Sequence, residues 1–137
     1  MKKILFAMLA LLAFSAAPAA ALTPAPLSVT AFRLGLGTKT ATAVSGAVTL
    51  NKMSGTITTE SLSTAAGATY TLTITDAAIL ATDLPLASVA FGTSTTGSPA
   101  VVTVTPGAGT LVIKIQNIHA TAALNGTLKI TFASLRL

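Results

Sequence analysis

Residues 69–75 read TYTLTIT, an unbroken alternation of threonine with Tyr70, Leu72 and Ile74. A period of two sends successive side chains to opposite faces of an extended strand, one for a core and one for water. A helix would scatter the two sets around its girth. Threonine also prefers this conformation, because its branched β-carbon fits a pleated surface.

The same pattern recurs along the chain. Residues 28–36 place Thr30, Phe32, Leu34 and Leu36 on one face, and residues 44–50 do so with Val44, Val48 and Leu50. Residues 55–61 carry Ile57, and residues 86–91 and 100–105 follow. Residues 110–118 set Leu111, Ile113 and Ile115 against Val112, Lys114 and Gln116. Residues 127–135 turn Leu128, Ile130 and Phe132 inward and Lys129 and Thr131 outward. Gly92 to Pro99, Pro106 to Gly109 and Asn125-Gly126 punctuate these runs as turns, the last suited to a two-residue hairpin. Residues 77–84 allow at most a helical turn. The expected fold is all-β: an antiparallel β-sandwich or jelly roll of about eight short strands.

The first residues belong to a different kind of sequence. Lys2 and Lys3 precede an apolar run, residues 4–14, and small residues then lead to Ala19-Ala20-Ala21. This is the order of a secretory signal peptide, and the run is too short to span a bilayer. The expected organisation is a signal-peptide helix in residues 1–21, an extended leader with Pro24 and Pro26 in residues 22–27, and one all-β domain in residues 28–137. The protein is expected to be exported to the periplasm, cell surface or medium. It would touch a membrane only through the signal peptide before cleavage. An outer-membrane barrel would carry aromatic girdles at both interfaces. Five Phe, one Tyr and no Trp do not supply them.

Without the signal, six basic residues remain against Glu60, Asp76 and Asp83, a net charge of +3. The cations are scattered, which argues against nucleic acid as a partner. No cysteine is present, so core and ladder must hold the fold without disulfides.

The search for chemistry finds single residues without partners in spacing. His119 is the one histidine, too few for a metal cluster, and a triad with Asp76 or Asp83 has no support in spacing. It reads as structural or solvent-facing. Asp76 and the Asp83-Leu84-Pro85 step read as turn chemistry, and Glu60 as a strand end. Gly35-Leu36-Gly37 before Lys39 lacks the spacing of a phosphate loop and reads as a strand end and turn. Asn125-Gly126-Thr127 forms a glycosylation sequon that the hairpin role already explains. No catalytic, cofactor-binding or metal-binding residue is assigned, and no cofactor is expected.

Residues 53–79 (MSGTITTESLSTAAGATYTLTITDAAI) and 109–132 (GTLVIKIQNIHATAALNGTLKITF) resemble a small Thr-rich β domain. That domain recurs in tailed-phage structural or decoration proteins and in uncharacterised exported bacterial proteins. The resemblance implies a structural or particle-surface role and brings no catalytic residues. The expected function is a non-enzymatic exported structural or interaction module, a homo-oligomer with a cell-surface or virion partner. The alternatives are a phage-derived virion decoration protein and, third, a small secreted enzyme.

Overall fold

The computed structural model describes residues 38–136. The signal peptide, the leader and the strand expected at residues 28–36 lie outside them. Eight strands follow in order: β1 (Thr38–Thr42), β2 (Ala47–Thr49), β3 (Ser54–Thr58), β4 (Thr69–Thr75), β5 (Leu84–Phe91), β6 (Pro99–Gly107), β7 (Thr110–Asn117) and β8 (Leu128–Leu135). They form two four-stranded sheets, ordered β1-β3-β8-β5 and β2-β4-β7-β6. Among the described residues there is no helix.

The sheets are mixed rather than antiparallel, which corrects the expectation. β1 pairs with β3 in parallel, and so does β2 with β4; every other pair is antiparallel. The cause lies in the connections. From β1 to β6 every connection carries the chain across to the other sheet. A chain that crosses twice returns to its first sheet running in its first direction, so strands two apart run alike. The hairpin from β6 to β7 stays within one sheet and reverses the sense. β7 and β8 therefore run opposite to their neighbours and fill the inner positions of the two sheets.

The apolar faces read from the sequence meet in one core. Leu72 and Ile74 of β4, Leu111, Ile113 and Ile115 of β7, and Leu128, Ile130 and Phe132 of β8 are buried, with Leu50, Ile57, Ile79 and Leu124 closing it. At roughly 2–3 kcal/mol for each large buried side chain, this core is the main stabilising term. Gly55 lets Leu50 and Phe132 pack across β3: a Cβ there would collide with Leu50 and come within 2.6 Å of the Lys39 carbonyl.

Three local readings change. Thr38–Thr42 is a strand rather than a turn, because its backbone pairs along the whole of β3. The strand expected at residues 44–50 is only Ala47–Thr49, and Val44, expected on its apolar face, is 72% exposed. Asn125-Gly126 closes no hairpin, since β7 and β8 belong to different sheets. Gly126 instead forms an isolated bridge with Leu62.

Candidate functional site: the upper loop end

The crossings gather the loops at the two ends of the sheets. The upper end holds residues 43–46, 59–68, 92–98 and 118–127, and the lower end holds residues 50–53, 76–83 and the β6–β7 turn. Buried loops must satisfy their backbone groups without water, and here side chains do much of that work.

Asn117, fully buried at the end of β7, is the centre of the upper end. Its Oδ1 accepts the N–H groups of Ser98 at 2.9 Å and His119 at 3.2 Å. Its Nδ2 donates to the carbonyls of Thr64 at 3.1 Å and Ala122 at 2.8 Å. One side chain thus joins three of the four upper loops with all of its hydrogen-bonding capacity. Asn125 adds a second pin, its Oδ1 accepting the N–H of Thr95 at 2.9 Å and of Thr96 at 3.0 Å. Thr59 Oγ1 takes the N–H of Leu128 and donates to the Glu60 carbonyl. Thr93 and Thr127 exchange bonds through their hydroxyls, each accepting the other's N–H.

The four candidate chemical groups serve the same purpose. Glu60 Oε1 accepts the N–H of Gly46 at 2.8 Å, and its Oε2 accepts the Tyr70 hydroxyl at 3.0 Å. Burial first, then the hydrogen bond to Glu60 and its negative charge, holds the Tyr70 phenol well above its ordinary range. His119 Nδ1 accepts the N–H groups of Thr121 and Ala122, which places the ring proton on Nε2. At the lower end, Asp76 accepts from Lys52 and Ala78. Asp83 Oδ2 accepts from the Leu80 N–H and the Ser134 hydroxyl, and Asp83 Oδ1 faces the Arg136 guanidinium at 3.7 Å.

Glu60 and His119 therefore belong to the upper end and the two aspartates to the lower. Nothing unites them into an acid–base pair. Among the described residues no cluster of three or more His, Cys, Asp or Glu side chains is placed to hold a metal ion. A shallow concavity of about 240 Å³ is lined by Leu86, Ala87, Ser88, Thr131, Phe132 and Ala133, without a titratable group.

What the upper end presents outward is uncharged. Val44 is 72% exposed and Ile118 63%, and Ser45, Ser61, Ser63, Thr95, Thr96 and Thr121 are exposed in the same four loops. Glu60 is the one charged residue in the four upper loops, and both of its oxygens are engaged. Sequence reasoning missed Asn117, which reads there as one more residue near the end of the strand at 110–118. Comparison with known protein families, with curated proteins and with solved structures finds no match for this chain.

Proposed function

We propose that this chain is a non-enzymatic, exported structural or interaction module that meets its partner through the upper loop end. The observation that carries the reading is the Asn117 network. Loops fixed in advance lose little conformational entropy on binding, so a surface of this kind suits recognition. Val44 and Ile118 would be the apolar anchors, and the hydroxyls of the same loops the adaptable polar contacts. The engagement of Glu60, Asp76, Asp83 and His119 in backbone hydrogen bonds favours this reading over a secreted enzyme.

The partner surface would be uncharged as well, so binding should survive salt. The test is binding of purified protein to envelopes of the producing cells, at low and at high sodium chloride. Val44→Asp and Ile118→Asp should each weaken binding about tenfold, equivalent to about 1.4 kcal/mol, with the melting temperature unchanged. Binding that vanishes in salt, or that ignores both substitutions, contradicts the proposal. Export rests on the N-terminal pattern: protein recovered from periplasm or medium should begin near Leu22. An intact Met1 on protein confined to the cytoplasm contradicts it.

A further inference from the structure

Among the described residues each sheet ends in two edge strands, whose outward N–H and C=O groups are where another chain can add. The four edges are β1, β5, β2 and β6. β2 is three residues long. β1 has five residues and carries Lys39. β6 is interrupted by a register shift between Val101 and Thr103 and holds Pro99 and Pro106. Charges, prolines, bulges and shortness are the ordinary means of keeping an edge unpaired. β5 carries one such device, Pro85 near its start, and none of the others. It runs eight residues without a charge, pairs regularly with β8 throughout, and exposes Leu84, Leu86 and Phe91.

The direction of its backbone groups follows from its neighbours. The Gly92 N–H, just past β5, donates to Thr127 O on the β8 side. Alternation then turns the even-numbered positions toward β8 and leaves the N–H groups of Ala87, Val89 and Phe91 on the open edge. Ser134, opposite Pro85, agrees: its N–H turns away from β5 to Met53 O. Pro85 thus lies where its missing N–H takes nothing from the β5–β8 ladder.

We infer that β5 pairs with β5 of a second copy, antiparallel, about a two-fold axis through Ser88. Side chains must stay on their own faces, so residues of like parity oppose one another. Two such registers overlap β5 equally, centred on Ala87 or on Ser88. Centred on Ala87, the Phe91 N–H lies beyond the partner strand. Centred on Ser88, Ala87 and Val89 exchange bonds with Val89 and Ala87 of the second copy, and the Phe91 N–H meets the Pro85 carbonyl. Every outward N–H is then bonded, and the proline serves only as an acceptor. Leu86 comes to lie opposite Ala90, which covers part of its exposed surface. Lys129 is the outward charge on β8 beside Ala90; the two copies of it lie about 20 Å apart, beyond the screening length in physiological salt. The result is one continuous sheet of eight strands. Since β5 runs toward the upper end in each copy, the two upper ends point in opposite directions, so the dimer would bridge two surfaces.

The chain has no cysteine, so one can be introduced as a specific probe. Ser88 faces Ser88 in a non-hydrogen-bonded pair with Cα atoms about 4.5 Å apart, within disulfide range. Ser88→Cys in the full chain should cross-link to a dimer on mild oxidation at least about tenfold faster than Thr121→Cys in an exposed upper loop. Ser88→Lys, which opposes two like charges at the axis, should halve the mass measured by light scattering, keep the β-sheet circular dichroism of the wild type, and melt at a temperature that no longer depends on protein concentration. A monomeric wild type, a dimer that Ser88→Lys leaves intact, or equal cross-linking of the two cysteine variants overturns the inference. None of these readouts depends on the upper-end partner, so this inference and the proposed function fail separately.

Discussion

The side-chain amide of Asn117 donates to the backbone carbonyl of Thr64, 3.1 Å away and 53 residues earlier in the chain. Its remaining bonds reach Ser98, His119 and Ala122, so one residue fixes the relative positions of three loops. Asn117→Ala leaves these buried groups without partners and should cost about 3–5 kcal/mol, since each orphaned group costs about 1–3. Asn117→Asp should do no better, because it turns an acceptor toward two carbonyls. Urea melts of the three proteins check both statements.

Tyr70 is the one tyrosine in a chain without tryptophan, so its ionisation can be followed by phenolate absorbance alone. Its folded pKa is raised by burial and by Glu60. A raised value means that the fold favours the protonated phenol. The resulting stability is fully present below about pH 10, the unfolded value, and is lost as pH rises beyond it. The phenol should titrate near 10 in denaturant and clearly higher in the folded protein. Glu60→Gln should lower the folded value, and Tyr70→Phe should flatten the alkaline loss of stability. A folded titration that coincides with the denatured one refutes the bond to Glu60.

His119 acts through Nδ1, which stands where Oδ1 of an asparagine would stand. His119→Asn should therefore keep the acceptor for Thr121 and Ala122 and leave stability nearly unchanged. His119→Ala should cost about 1 kcal/mol, the usual value of a lost capping acceptor. Equal losses in thermal melts would show that the ring does something else.

Asp83 and Arg136 should respond very differently. Asp83 is buried, and its loss strands the Leu80 N–H and the Ser134 hydroxyl, a cost of about 2–4 kcal/mol. Arg136 is 54% exposed, and its 3.7 Å approach to Asp83 is longer than a hydrogen bond. Arg136→Ala should cost less than about 1 kcal/mol, as exposed pairs do, through its bond to Ala78 O as much as through charge. Denaturant melts showing comparable losses would place the weight on the ion pair instead.

The core was legible in the sequence wherever alternation was strong. Leu72 and Ile74, Leu111, Ile113 and Ile115, and Leu128, Ile130 and Phe132 are buried where period two places them. Alternation assigns a face and does not name the sheet, so the parallel pairs and the crossings stayed hidden. β1 was missed because Thr38–Thr42 has weak apolar contrast and gains its structure from β3. The hairpin at Asn125-Gly126 failed because that turn preference is local, while the bridge from Gly126 to Leu62 and the pins to Thr95 and Thr96 are long-range. Asn117 was invisible for the same reason. A polar residue at a strand end looks alike in sequence whether it meets water or three loops.

The central claim is that polar side chains hold the loops as firmly as the ladders hold the strands. Native-state hydrogen exchange, read amide by amide, tests it most directly. The N–H groups of Gly46, Ala78, Leu80, Thr96, Ser98 and Ala122 all donate to side chains. They should be protected from exchange, approaching the amides of Leu72, Ile113 and Ile130, and Asn117→Ala should release Ser98 first. Loop amides exchanging at the rate of an unstructured peptide, while the strands stay protected, would contradict the account.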